Sequence, residues 1–251
     1  MRFCGLDLAW SPRNTSGGVI LELQDGRGVP VLWDDSLGSD EEILSFILEG
    51  TQGRPALVAV DAPLIVPNET GSRPCDRELS AVYRRAEAAA YPVNRRLLGP
   101  EVRGEEISRG LAGRGFIVSP VVAARRPVRQ IIEVYPHPAM VELFGLERTF
   151  KYKARPGRSL EDRRRELGRY LAAIEGLARH DPPLAPWPVT EEVDLARLAG
   201  AALKRAEDLL DALLCSYIAL HAWWHGPRGY RVFGDGDSGF ILVPVSPGET
   251  G

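Results

Sequence analysis

The first third of the chain consists of short apolar runs separated by polar turns. The pattern predicts β-strands over residues 2–10, 17–23 and 29–35. The last two runs are joined by Asp25-Gly26-Arg27-Gly28, which is typical of a hairpin turn. We therefore expect an antiparallel meander of three strands at the start of the fold.

Two nearly continuous apolar runs come later, at residues 56–64 and 129–136. Runs of this kind are typical of strands buried on both faces of a parallel sheet. Before the first of them, Ser39 and Glu42 predict a capping box for a helix over residues 40–49. The predicted fold class is α/β: a mixed sheet of three antiparallel strands followed by parallel strands, flanked by helices.

A segment rich in arginine and proline, residues 66–127, interrupts this order. It predicts helices over residues 75–90 and 104–114. We interpret it as an inserted helical cap within a single domain that spans residues 1–251. Further helices are predicted over residues 138–145, 159–179, 190–199 and 203–224, followed by a closing hairpin around residues 234–237.

Composition narrows the class of protein. The chain has 251 residues, 44% of them hydrophobic, and a formal net charge of −3. It shows no signal-peptide pattern, and no apolar run reaches the roughly eighteen residues that a membrane helix requires. The three cysteines lack the spacing of a zinc site or a disulfide framework. We expect a cytoplasmic protein that does not associate with membranes.

Charge is unevenly distributed along the chain. Residues 71–170 carry 21 basic and 12 acidic side chains, whereas the segments on either side are acidic. A basic middle between acidic ends suggests an anionic ligand held near an acidic centre. Most of these charges also fit a simpler interpretation, in which arginine and glutamate pair on solvated helix surfaces.

Carboxylates occur where the apolar strands pass through the core or end. Asp7 lies within the first predicted strand, and Asp61 and Glu133 lie in the two later apolar runs. Asp208 and Asp211 are three residues apart and share one face of the last long helix. A buried acid is costly unless it is paired or binds a cation.

Each acid alone has an ordinary explanation, such as a turn at Asp61 or an ion pair between Asp208 and Lys204. Taken together, they converge on one edge of the sheet, and the sequence offers no matching buried lysines. We therefore expect Mg²⁺ or Mn²⁺, which take oxygen ligands. Two such ions would activate water and stabilise the leaving oxygen in phosphodiester hydrolysis.

Five motifs in a fixed order carry a family resemblance: GLDLAW (5–10), VAVDAPL (58–64), RPCDREL (73–79), EVYPHPA (133–139) and EDLLDALLCSYIA (207–219). With these motifs the chain resembles the prokaryotic family called domain of unknown function 429, described as predicted nucleases with a ribonuclease H-like fold. The resemblance covers nearly the whole chain. It implies a five-stranded ribonuclease H-like sheet with a metal site made of carboxylates.

By position, the resemblance implies that Asp7 and Asp211 are metal ligands, with Asp208 close to them. Asp61 and Glu133 complete the set, and the expected catalytic residues are Asp7, Asp61, Glu133 and Asp211. Many proteins of this fold place a further acid on the first helix. Glu41, Glu42 and Glu49 are the open alternatives for that position.

Basic side chains near these motifs are expected to bind the substrate: Arg73, Arg77, Arg129, Lys151 and Lys153. Contacts to phosphate set affinity without reading base sequence. Asp76, beside two of these arginines in the insert, could equally pair within its own helix. His137 could relay a proton or belong to a turn between two prolines.

Three functions are compatible with these residues. The first is a Mg²⁺- or Mn²⁺-dependent nuclease acting on DNA or RNA, which the carboxylate set favours. The second is a sugar- or acetate-kinase-like phosphotransferase, for which Ser16-Gly17-Gly18 would have to hold a nucleotide phosphate. The third is a nucleic-acid-binding protein of the same fold without catalysis.

Overall fold

A computed structural model describes residues 1–11, 13–189 and 194–247. Within these ranges the centre of the molecule is a six-stranded sheet in the order β3-β2-β1-β4-β6-β5. The strands are β1 (Arg2–Asp7), β2 (Ser16–Gln24), β3 (Arg27–Leu37), β4 (Ala56–Val60), β5 (Ile117–Val118) and β6 (Arg129–Glu133). β1, β2 and β3 are antiparallel, whereas β4, β6 and β5 continue from β1 in parallel. This confirms the predicted mixed sheet, with one short edge strand more than the resemblance implies.

The helices flank this sheet. They are α1 (Asp40–Thr51), α2 (Pro74–Tyr83), α3 (Arg95–Leu98), α4 (Arg103–Ala112), α5 (Pro136–Phe144), α6 (Leu160–Gly176) and α7 (Gly200–His225). The capping box of α1 is confirmed, because the Ser39 hydroxyl accepts from the Glu42 N–H and the Glu42 carboxylate accepts from the Ser39 N–H. Of the helix predicted over 190–199, residues 190–193 lie outside the described residues and 194–199 are not helical.

The predicted closing hairpin is confirmed as β7 (Tyr230–Asp235) and β8 (Gly239–Pro244), which form a separate two-stranded sheet. In the described part of the chain, no helix is both long and apolar enough to cross a bilayer.

The two faces of the central sheet pack against different helices. In β1, Phe3 belongs to the core formed with α7, whereas Cys4 and Leu6 belong to the core formed with α1 and α4. Gly5 faces α7 so closely that a Cβ there would lie 2.0 Å from the Ala212 carbonyl oxygen. Because side chains alternate along a strand, Asp7 points to the same face as Phe3 and Gly5.

The inserted segment packs onto the main core. Ile107 and Leu111 of α4 share the core of α1, and the segment also supplies β5 to the sheet. Cys75 and Leu79 of α2 pack against Phe233 of the closing hairpin. The insert therefore forms one wall at the edge of the sheet where β4 and β6 end.

Candidate active site at the carboxyl ends of β1 and β4

Strand register brings Asp7 and Asp61 together. β1 and β4 are parallel, Leu6 pairs with Val60, and the Asp61 N–H donates to the Leu6 carbonyl at 2.9 Å. The next residue of each strand is an aspartate, and both side chains point to the face that α7 covers. Asp7 and Asp61 therefore lie together at this edge of the sheet, as the sequence predicts.

Helix α7 adds Asp208 and Asp211 to the same place. Both residues are buried, at 4% and 1% exposure. The Tyr152 hydroxyl donates to Asp211 Oδ1 at 2.6 Å, and Lys204 pairs with Asp208 one helical turn away. We call Asp7, Asp61, Asp208 and Asp211 the Asp7 cluster. Tyr152 is a residue that the sequence analysis missed, since no pattern in its segment links it to α7.

Lys153 places its ammonium group among these carboxylates. Its Nζ lies 2.6 Å from Asp211 Oδ2, 3.2 Å from Asp7 Oδ2 and 3.4 Å from Asp208 Oδ1. The assumption that no lysine matches these acids is therefore wrong. Lys153 lies in the segment between Phe150 and α6, far from Asp7 in sequence, so that only the tertiary fold could reveal the contact.

The charges of the Asp7 cluster do not balance when all four of its acids are ionised. Over the residues that the structure describes, four carboxylates meet two ammonium groups, those of Lys153 and Lys204. The Asp61 carboxylate makes no hydrogen bond or ion pair with any described residue, although Asp61 is only partly exposed. The excess negative charge makes this the part of the sheet edge best suited to attract a cation.

Burial and mutual repulsion raise the affinity of these carboxylates for protons. Burial raises the pKa of Asp7 to about 7, opposed by Lys153 and reinforced by Asp211 and Asp208. Burial also raises the pKa of Asp61 well above its usual value, with Asp7 as the next cause. Perturbed acids that share a cleft are typical of functional sites.

Glu133 does not join this cluster. It pairs with Val60, one residue before Asp61, and therefore points to the opposite face, towards α1 and α4. There its carboxylate accepts from Arg73 Nη2 at 2.6 Å, from Arg73 Nη1 at 2.9 Å and from the Leu64 N–H at 2.9 Å. The sequence placed Glu133 at the correct edge of the sheet but could not supply the register that decides its face.

Arg73, Asp76 and Glu133 form a second, closed group, which we call the Arg73 cluster. Arg73 is 1% exposed and also donates to Asp76 and to the Ile65 carbonyl. Asp76 further accepts from the N–H groups of Arg73 and Val93. Every charged group in this cluster is thus bonded within the protein, so Arg73 offers no free donor to a substrate.

The other basic residues expected at the substrate are spread over the surface. Arg77 is exposed and donates to the Ser72 carbonyl, and Lys151 pairs with Glu87 at 2.7 Å. Arg129 opens β6 and therefore lies at the other end of the parallel strands, where it donates to the Gly53 carbonyl. Among the five predicted residues, all of them described, Lys153 alone contacts the Asp7 cluster.

The acids of the first helix lie away from the Asp7 cluster, and His137 packs among aromatic rings. Glu42 is occupied by the capping box, and Glu41 and Glu49 are exposed on a helix that packs against the face opposite to Asp7. The His137 ring packs between Tyr135 and Tyr152. Burial lowers the pKa of His137 to about 4, which keeps the imidazole neutral near neutral pH.

The donor chemistry of the Asp7 cluster fits a hard divalent cation, because its ligands are carboxylate oxygens in excess of the neighbouring positive charge. The present side-chain positions are not those of an assembled metal centre. Within the described ranges, no group of three or more histidine, cysteine, aspartate or glutamate side chains is arranged to hold a metal ion. Lys153 supplies the positive charge at this point in the structure.

Comparison with known proteins gives a family but no characterised relative. No curated protein and no solved structure matches the chain. The family model described as "Protein of unknown function (DUF429)" matches residues 5–236, which include every member of the Asp7 and Arg73 clusters. The chain therefore belongs to this family of proteins of unknown function.

Proposed function

We propose that this protein is a Mg²⁺- or Mn²⁺-dependent nuclease that hydrolyses phosphodiester bonds of DNA or RNA at the Asp7 cluster. The observation that carries the proposal is the unbalanced group of four carboxylates at the ends of β1 and β4, with Asp61 unpaired among the described residues. A protein keeps such a costly arrangement where it is stabilised by a bound cation or by substrate.

The residues have distinct roles in this proposal. Asp7, Asp61 and Asp211 would hold the metal, and a bound divalent ion would supply the activation of water and the stabilisation of the leaving oxygen. Tyr152 orients Asp211 through its hydroxyl, and Lys204 holds Asp208 by its ion pair. Lys153, which contacts three of the four carboxylates, would contribute its ammonium group to the binding of a substrate phosphate.

The kinase alternative has less support. Ser16-Gly17-Gly18, its candidate phosphate loop after the first strand, lies inside strand β2 and is buried. A Cβ at Gly17 would lie 2.6 Å from the Asp208 carbonyl oxygen, and one at Gly18 would lie 2.6 Å from the Phe46 ring. Close packing between β2 and its neighbouring helices explains both glycines without a nucleotide.

Cleavage of labelled nucleic acids tests the proposal. Single-stranded DNA, duplex DNA, RNA, an RNA–DNA hybrid and a four-way junction are incubated with Mn²⁺, with Mg²⁺ and with a chelator. We expect metal-dependent cleavage that falls to the level of the chelator sample in Asp7→Asn, because one oxygen ligand and its charge are removed. Asp237→Asn, at an exposed turn position, is the matched control.

Full activity of Asp7→Asn, or cleavage that the chelator leaves unchanged, would overturn the proposal. A thermal-shift titration with Mn²⁺ provides a readout that does not depend on activity. An ion that binds only the folded state raises the unfolding temperature of the wild type, and the rise grows with the ion concentration relative to Kd. The same titration should leave Asp7→Asn nearly unchanged.

A further inference from the structure

A small pocket opens beside Asp61, between the sheet edge and the inserted segment. Its walls include Trp10, Ala62, Pro63, Tyr91 and Tyr135, and its cavity volume is about 50 Å³. Trp10 comes three residues after Asp7, and Tyr91 belongs to the insert. The pocket therefore lies between Asp61 of the Asp7 cluster and the inserted segment, residues 66–127.

The charges in this pocket argue against a phosphate as its occupant. Asp76 and Glu133 line it, and Arg73 is already bonded to both of them. An incoming anion would meet these acids and the unpaired Asp61, with no free donor from Arg73. The remaining walls are aromatic or aliphatic, so a neutral, flat group suits the pocket better than a charged one.

Two aromatic rings at the pocket are unusually accessible. Trp10 is 47% exposed and Tyr91 is 49% exposed. Neither ring contacts another aromatic ring among the described residues, and Tyr91 has the Arg155 guanidinium 5.3 Å from its centroid. Accessible aromatic rings beside a nuclease centre are the side chains on which unpaired bases stack.

We infer that Trp10 and Tyr91, the exposed rings at the mouth of this pocket, stack one unpaired nucleobase next to the scissile phosphodiester, so that the substrate class is single-stranded nucleic acid. The inference rests on the proposed function. A duplex keeps its bases paired and stacked, and presents none to the pocket without extrusion. Binding is tolerant of base identity, because Arg73 is occupied and stacking uses the face that every base offers.

Alanine substitutions at the two exposed rings test this inference. Trp10→Ala and Tyr91→Ala are compared with Trp33→Ala, which removes a similarly exposed tryptophan on β3. On a short single-stranded oligonucleotide we expect Trp10→Ala to raise KM about tenfold with a small change in kcat. An oligonucleotide that lacks the base beside the cleaved bond should remove the difference between this variant and the wild type.

A second measurement does not require cleavage or metal. A dinucleotide that carries 2-aminopurine and an uncharged methylphosphonate linkage avoids repulsion by the Asp7 cluster. The fluorescence of 2-aminopurine is quenched when the base stacks on an aromatic ring. We expect quenching by the wild type and by Trp33→Ala. Quenching by Trp10→Ala and by Tyr91→Ala should be weaker. Equal quenching by all four proteins would overturn the inference, as would equal KM values.

The two proposals fail in different ways. If no substrate is cleaved but 2-aminopurine is quenched through Trp10, the base pocket stands and the nuclease proposal falls. If single-stranded and duplex substrates are cleaved equally and no variant changes KM, the nuclease stands and the base pocket falls.

Discussion

The Arg73 cluster and the Asp7 cluster lie at the same edge of the sheet, yet their charges are paired in different ways. In the Arg73 cluster, each carboxylate accepts hydrogen bonds from the guanidinium and from a backbone N–H. In the Asp7 cluster, two ammonium groups are paired with three of the four carboxylates in the described structure, and the Asp61 carboxylate has no partner. The difference separates acids that hold the fold together from acids that are available to a ligand.

Physical cost explains why this contrast is informative. A buried carboxylate is tolerated when bonds replace those it made with water. The Arg73 cluster satisfies that condition by itself, whereas the Asp7 cluster leaves a deficit of positive charge. Proteins retain locally unfavourable arrangements mainly at their functional sites. The Asp7 cluster is therefore the better candidate for chemistry.

The largest expected effect is on stability at the Arg73 cluster. Arg73→Met should lower the free energy of unfolding by about 3–5 kcal/mol, because it leaves Asp76 and Glu133 buried without their cation. Urea denaturation followed by circular dichroism measures the change. Arg77→Met, at an exposed position of α2, the helix that begins directly after Arg73, should change it by less than about 0.5 kcal/mol. A loss for Arg73→Met as small as that of the control would contradict the structural role.

A smaller effect of opposite sign is expected at Asp7. Its pKa is about 7 in the folded protein against an ordinary 3.8, so the folded state binds more protons than the unfolded state between these values. Stability is therefore lost as pH rises from about 4 through 7. In metal-free buffer at pH 8, Asp7→Asn should be more stable than the wild type by about 1–2 kcal/mol.

Denaturation at pH 5 and pH 8 measures this difference for Asp7→Asn and for the exposed control Asp237→Asn. The advantage of Asp7→Asn should widen as the pH rises, while the control follows the wild type. An advantage that narrows from pH 5 to pH 8 would show that Asp7 is well paired and that the contrast between the two clusters is mistaken.

The smallest effect concerns Lys153. Its ammonium competes with a cation for Asp7 and Asp211, so Lys153→Met should bind Mn²⁺ about tenfold more tightly than the wild type, a change of about 1.4 kcal/mol. Isothermal titration calorimetry measures the affinity. Lys151→Met is the matched control, because Lys151 pairs with Glu87 instead. Equal affinities for both variants would show that Lys153 and the metal occupy different places.

The regular elements followed from the sequence where local signals agree with packing. The apolar run at β1, the turn at Asp25-Gly26 and the capping box of Ser39 and Glu42 each predicted an element that the structure contains. The ends of β4 and β6 were predicted too late, because the apolar runs continue past Val60 and Glu133 after the ladder hydrogen bonds stop. The predicted end of helix α2 was seven residues too late, because the apolar alanines after Tyr83 pack against the protein without being helical.

The candidate site was only half predictable. Asp7, Asp61, Asp208 and Asp211 were grouped correctly because strand ends and one helix face determine their directions. Glu133 was grouped with them, although a shift of one residue in register turns its side chain to the other face. Arg73 was expected at the substrate, but burial next to Glu133 and Asp76 makes it part of the fold.

The sequence by itself determined the α/β class, the order of the strands along the chain and the acids that end them. These properties depend on local periodicity and on the types of residues that are neighbours in the chain. Only the tertiary structure decided that Lys153 lies among the aspartates, that Glu133 pairs with Arg73, and that Trp10 and Tyr91 border one pocket. These contacts join residues that are far apart in sequence. Strand register and loop packing determine which residues meet, and no local sequence pattern encodes either of them.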